Sequence, residues 1–470
     1  MSPAATDLER FVGKDGRAEA VAEVRRKIDA EGVSYIYYQF ISVTGRIMGK
    51  AAPADVWEKF AEKGFQLVYG STANLYQDRK GDYIGYGADA WELVGIPEPE
   101  TFCVLPWDRK VARVFCTLFR GREEEVDPGA YLTSDCRGNL KRIHDEFEAQ
   151  TGLHLRAGTE PEMMWLKTEE DGRTPRFEGV TKPNCYHIDQ FSEFQPLIHK
   201  VMDYCAQMGL EMIQGDHEDA PGQLELNWMF DRAEYTADRL VTYRQICKQV
   251  GREMGVFPCF MPKPFMGVAA NSCHHNISLW RGDTNVFVPD DLESNPRMPS
   301  QTGLHAIGGI LKHINALTCV TAPTVNSYRR LWDTGFWAPI YANWGFQNRT
   351  TTLRVSAPDR FEYKSTDSSV NPYLSFAALL KAMGDGIENS IDPGPPENRD
   401  SAAVAGGTAQ PKIPMDLGQA LEALRANPIV QSALPGDMYR VFEHYKRDEW
   451  ERFCATVTEW DINEYLEILP

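Results

Sequence analysis

The feature that most constrains this 470-residue chain is a set of acidic residues spaced for β-strands. In segment 153–166, LHLRAGTEPEMMWL, Glu160 and Glu162 stand two residues apart, so on a strand both leave the same face. Two carboxylates placed that way repel each other unless cations lie between them or water screens them. Segment 210–230, LEMIQGDHEDAPGQLELNWMF, reads as two strands joined across Pro221–Gly222, with Glu218 before the turn and Glu225 after it. Glu225 lies between Leu224 and Leu226, and an acid in such company stays charged only when paired or metal-bound.

Two further strand segments add to the set. NSCHHNISLW (271–280) puts His274, Asn276 and Ser278 on one face and His275, Ile277 and Leu279 on the other. NRTTTLRVSAPDRFEYK (348–364) supplies Arg349 and Arg354, and places Arg360, Glu362 and Lys364 on one face. Each segment alone is compatible with an exposed strand or a salt-bridged sheet. Together, five glutamates and one histidine make an oxygen-rich ligand set, which favours magnesium or manganese over zinc or copper. Arginines beside such ligands suit a nucleotide triphosphate and its transferring phosphoryl group. No GxxxxGK[ST] occurs, so metals and arginines would hold the nucleotide.

The rest of the chain supports an ordinary globular enzyme. Helical periodicity over 17–31 places Val21, Val24 and Ile28 on one face, with Gly32 as the stop. YIYYQFISV (35–43) and VARVFCTLF (111–119) read as strands, giving a small mixed α/β domain over 1–125. A helix over 139–150 opens a larger domain, 126–470, in which strands and helices alternate. The Pro-, Gly- and Ala-rich stretch 392–414 reads as a surface excursion of that domain. A formal net charge of −18 opposes binding to nucleic acid or anionic membranes. The N-terminus lacks a signal-peptide pattern, no apolar run is long enough to span a bilayer, and the 10 cysteines are scattered without metal-type spacing. The expectation is a cytoplasmic protein with reduced thiols.

Taken in order, TEPE (159–162), HEDAPGQLE (217–225), FMPKPF (260–265), CHHNISLW (273–280), PTVNSYRR (323–330), NRTTTLR (348–354), RFE (360–362) and NPYL (371–374) resemble the glutamine synthetase family over nearly the full chain. The resemblance implies an α+β protein, with an N-terminal β-grasp domain and a catalytic domain built as an incomplete α/β barrel. It implies stacked-ring homo-oligomers, dodecamers foremost, with sites between subunits, and small-molecule substrates: ATP, L-glutamate and an amine. By position, Glu162, Glu218 and Glu225 would bind one divalent ion, and Glu160, His274 and Glu362 a second, with two to three Mg2+ or Mn2+ per site. Arg349, Arg354 and Arg360 would grip ATP, with Phe230 and Ser278 near the nucleotide. Arg330 would hold the α-carboxylate of glutamate, beside Lys364 and Ala270. The implied reaction is phosphorylation of the γ-carboxylate of glutamate, then attack by the amine on the acyl phosphate.

Departures from the family pattern fall on the amine. Ammonia-using members carry an acid in a loop like FTDTKG and another in a flap like PGYEAP; this chain has FISVTG, with Ser42, and TGFWAP, with Trp337. A cationic ammonium needs negative charge and a base, whereas an indole offers an apolar wall. Ser42 and Trp337 are therefore expected at an organic-amine pocket, with an apolar alkyl or aromatic amine favoured over ammonia. An ordinary glutamine synthetase, with Trp337 only packing the flap, is the alternative, and a non-catalytic assembly protein a distant one. Lys364 replaces a usual arginine, losing bidentate geometry, and Ala269 and Ala270 stand where Asn and Gly are common in the glutamate loop.

Overall fold

The computed structural model describes residues 5–74, 76–170, 175–176, 185–289, 297–333, 338–404 and 411–468, without the side chains of 175, 176 and 404. The helix Arg17–Glu31 ends at Gly32, whose φ of 68° and bond to the Ile28 carbonyl close it, and Val24 and Ile28 are buried beneath it. Tyr35–Ile41 lies parallel to Asp108–Phe119 and antiparallel to Ile47–Pro53. Glu92–Pro97 and Phe65–Val68 continue the sheet beyond Asp108–Phe119. The first strand stops at Ile41 rather than Val43, because Ser42 opens a turn in which the Gly45 N–H returns to the Ser42 carbonyl at 2.8 Å.

The second sheet is organised on one long strand, His154–Thr168. Cys273–Arg281 runs antiparallel along one side of it and Gln223–Trp228 along the other. Arg360–Tyr363, Leu353–Ala357 and Trp344–Phe346 extend the first side, and Met212–His217 the second. The expected hairpin forms with Gly222 at φ 67°. Segment 348–364, read as one strand from the sequence, folds as two antiparallel strands. Strand alternation sorts the residues as the pattern required: Leu155, Ala157, Ile277 and Leu279 enter the core that also takes in Leu317, Phe361 and Phe376. His275 follows them inward, its Nε2 3.0 Å from Ser375 Oγ, and burial holds it down to about 3. The helices Cys136–Thr151, Ala233–Met254, Gln301–Thr321 and Pro372–Glu388 back this half-barrel.

Stretch 392–414 packs on the larger sheet as far as it is described: Glu397 N–H bonds the Trp344 carbonyl at 2.7 Å and Trp344 Nε1 bonds the Gly394 carbonyl at 2.9 Å. Residues 405–410 lie outside the described part. The 10 cysteines are all unpaired. No described helix is long and apolar enough to cross a membrane.

A buried ionic clasp joins the N-terminal sheet to three of the helices that back the half-barrel. Glu98, from the N-terminal sheet, accepts from Thr117 and Arg137, and from Lys141 Nζ at 2.7 Å. Arg137 forks onto both oxygens of Asp238, at 2.9 and 3.0 Å, and Tyr373 OH donates to the same aspartate at 2.6 Å. Burial would raise Glu98, but Arg137 and Lys141 hold it well below the usual carboxylate range. Removing the arginine leaves the buried Glu98 with Lys141 and Thr117 alone and takes the guanidinium from Asp238, and breaking a buried pair of this kind is destabilising by up to about 3–5 kcal/mol. Arg137→Met should therefore lower the midpoint of thermal unfolding clearly; an unchanged midpoint would show that the clasp does not hold the N-terminal sheet to the helices.

Candidate active site

Register builds the site before any side chain is considered. Glu225 is the cross-strand partner of both Glu162 and Asp216. His274 pairs with Glu160, and Glu362 stands between Asn276 and Arg354. These residues share the face opposite the apolar core, so the strands that fill the core on one side assemble a carboxylate field on the other.

Two clusters result. In the first, ligand-type atoms of Glu160, His274 and Glu362 lie within 4.8 Å of one another. His274 Nδ1 sits 3.0 Å from Glu362 and 3.4 Å from Glu160. Burial alone would lower this histidine, yet Glu362 and Glu160 bring it to about 9. Arg354 Nη1 reaches the other oxygen of Glu362 at 3.0 Å, and Asn276 Nδ2 donates to Glu160 at 2.6 Å.

The second cluster is Asp216, Glu218 and Glu225, under the same 4.8 Å criterion. Two of the expected trio, Glu218 and Glu225, belong to it, and the third, Glu162, lines the same cavity and raises both of them. Glu162 is next to Glu225 in register, but its Oε2 accepts from the Ser272 N–H at 2.7 Å and faces Gln223 Nε2 at 3.4 Å. Asp216 also stands with Glu218 and Glu225. It lies two residues before Glu218, so strand alternation was the signal that could have found it. Burial, with neighbouring carboxylates adding to it, raises Glu225 well above its usual range and Glu218 to about 8. Asp216 is raised by burial and by Glu160, and its Oδ1 is buried without a hydrogen-bond partner. Among the described residues no lysine or arginine pairs with this trio. An all-carboxylate set under mutual repulsion, with an orphaned oxygen, fits a hard divalent cation.

Both clusters open into a cavity of about 410 Å3. Arg349, Arg354, Lys364 and Ala270 line it, as expected, and Ala338, next in sequence to Trp337, lines it as well. Lys364 is buried, donates to the Arg349 carbonyl at 2.8 Å, and is lowered by burial. Arg330 lies behind this wall, bonded to Ser272 Oγ at 3.2 Å and the Lys364 carbonyl at 3.0 Å. Gln223 ties the Ala270 carbonyl in at 2.9 Å. Cys185, Tyr186, Gln214 and Asp219 also face the cavity and were not singled out in the sequence; Tyr186 takes a left-handed φ of 60° and bonds the His217 carbonyl at 2.8 Å.

Other expected residues lie apart. Phe230 stacks with Trp280 at 6.1 Å, Trp280 Nε1 donates to Ser278 Oγ at 2.9 Å, and Arg156 covers that indole at 4.3 Å. Arg360 is exposed at the strand turn and pairs with Asp359 at 3.2 Å. Ser42 requires a correction. It is wholly buried, its hydroxyl 3.2 Å from Thr44 and its carbonyl held by Asn371, so it has no surface to offer an amine; Arg46 is what that turn exposes, with Thr44 half-buried. Trp337 lies outside the described residues.

The model of the glutamine synthetase catalytic domain matches residues 133–465. A glutamine synthetase of Pyrococcus furiosus is 33% identical over 93% of this chain and 98% of its own length. One from Rhizobium meliloti is 33% identical over 80% of this chain and 86% of its own. Among solved structures, a complex of GmaS, a γ-glutamylmethylamide synthetase, with ADP superposes with a TM-score of 0.84 at 30% identity, covering 95% of this chain and 99% of that one. Ligand-free GmaS gives 0.83 at 29% identity, over 94% and 98%. With one sheet face carrying the carboxylates, and a match over most of both partners' lengths, the chain belongs to the glutamine synthetase family.

Proposed function

We propose that this ligase forms a γ-glutamyl amide from L-glutamate, ATP and an organic primary amine, through γ-glutamyl phosphate. The observation that carries the reading is the pair of acidic clusters in one cavity with Arg349, Arg354 and Lys364 on its wall. Glu160, His274 and Glu362 would hold one divalent ion, and Asp216, Glu218 and Glu225, with Glu162 adjacent, another. Magnesium or manganese there would neutralise phosphate charge and polarise the transferring phosphoryl group.

The chain's own residues supply the rest. Arg349, Arg354 and Lys364 would grip phosphoryl oxygens, with Arg360 at the outer end of the same strands. The ledge of Phe230, Trp280 and Ser278 suits the nucleoside. Arg330 and the Ala270 loop would orient glutamate so that its γ-carboxylate meets the phosphoryl group. Small-molecule substrates and an oligomeric state are typical of the family; stacked rings and a cytoplasmic setting extend that pattern to this chain.

The organic amine is supported by the missing acid at position 337, which precedes Ala338 on the cavity wall, and by the likeness to GmaS. A second reading, ammonia as the amine, is favoured by the sequence relatives, which are named glutamine synthetases.

Phosphate release with glutamate, ATP and a panel of amines should be faster with an apolar alkyl or aromatic amine than with ammonia; activity with ammonia alone would sink the organic-amine reading. Trp337→Glu should raise ammonia use and depress the preferred amine, and no change in either would remove Trp337 from the amine pocket. Glu362→Gln should weaken manganese binding in calorimetry by roughly tenfold or more and abolish phosphate release. Unaltered binding would exclude Glu362 as a ligand.

A further inference from the structure

A second, larger cavity lies away from the carboxylates. This cleft, about 1130 Å3, separates the strands Tyr35–Ile41 and Ile47–Pro53 from the helix Ala233–Met254 and segment 257–265. Among the described residues five cations line it, Arg46, Lys50, Arg244, Lys248 and Arg252, and not one aspartate or glutamate. In a chain with 67 acidic and 49 basic residues, a wall of that sign runs against the composition.

The partners of these cations are neutral. Arg46 donates to Tyr76 OH at 2.7 Å, Lys50 to the Gln66 carbonyl, and Arg252 to Gln249. Arg244 spends its two terminal nitrogens on the carbonyls of Val370 and Ser368, at 2.9 and 3.0 Å, and its buried Nε has no partner. Lys248 makes no hydrogen bond or ion pair among the described residues; burial, and then Arg244, Arg46 and Arg252, push its ammonium below the usual range. Between the cations the lining is apolar and aromatic, with Tyr37 and Phe257 each about two-fifths exposed and Phe260 beside Arg244.

We propose that this cleft binds a small anion with a flat apolar body, an aromatic carboxylate or phosphate. Cations without a carboxylate partner gain most from an incoming anion, and aromatic walls take a flat body at little entropic cost. The acidic cavity repels such a ligand unless metals intervene. The two sites therefore select for opposite chemistry, and this proposal stands independently of the ligase reading.

The full-length protein, titrated with 8-anilinonaphthalene-1-sulfonate, tests it by fluorescence. Saturable binding at one dye per chain is expected. Lys248→Glu with Arg252→Glu should weaken it by roughly tenfold, as loss of close charge contacts does, leaving phosphate release and native mass unchanged. The uncharged N-phenyl-1-naphthylamine should bind wild type and variant equally weakly. Equal titrations of wild type and variant with the sulfonate, or neutral dye binding as tightly as the anion, would overturn the proposal. So would a change of native mass in the variant, which would make the cleft a contact between subunits.

Discussion

Everything chemical in this protein depends on the pairing of His154–Thr168 with its two antiparallel neighbours. The pairing places Glu225 beside Glu162 and His274 beside Glu160, and it does so with main-chain hydrogen bonds that need nothing from the carboxylates. Cross-strand neighbours of like charge destabilise a sheet. The cost is met by the opposite face, where Leu155, Ala157, Ile277 and Leu279 are buried against helices. A one-residue slip would move the acids into the core and the leucines into the cavity. Register is thus fixed by the apolar face, and the acidic face follows from it.

The two clusters differ in how their charge is balanced. In one, His274 and Arg354 already attend Glu362, which is held below the usual carboxylate range despite its burial. In the other, Asp216, Glu218 and Glu225 have no lysine or arginine paired with them among the described residues, His274 only weakly offsets the rise of Glu218, and all three are pushed upward together. Divalent cations would therefore change the second cluster more. The ligases of this family use ATP and divalent metal ions, and the donor chemistry here agrees.

Much of this was legible in the sequence, and the misses have physical causes. Period-two spacing sorted Glu160 and Glu162 from Leu155 and Ala157, and His274 from His275, because alternation is a property of any strand. Gly32 and the Pro221–Gly222 turn announced their own breaks. Asp216 was passed over although the same alternation ties it to Glu218. Which of Glu162 and Asp216 would join Glu218 and Glu225 could not be read, since that depends on the Ser272 N–H, supplied by a segment 110 residues away. The burial of Ser42 is likewise a tertiary fact: Asn371, at the start of a distant helix, holds its carbonyl. The basic cleft escaped because Arg46 and Lys50, from a turn and the strand after it, meet Arg244, Lys248 and Arg252, spaced four apart on a distant helix, and only the fold brings the two sets together.

The stretch around Gly394–Glu397 bears on a different hazard. Trp344–Phe346 is the terminal strand of the larger sheet, and a bare terminal strand is a template on which another chain can add. The Glu397 N–H donates to the Trp344 carbonyl and Asn398 Oδ1 accepts from the Phe346 N–H, so two of its main-chain positions are filled, and Asn348 fastens the same stretch through the carbonyls of Glu397 and Arg399, both at 2.8 Å. A sequence rich in proline and glycine is poorly suited to becoming a strand itself. It can therefore close the edge without extending the sheet, so that growth by strand addition ends within the chain.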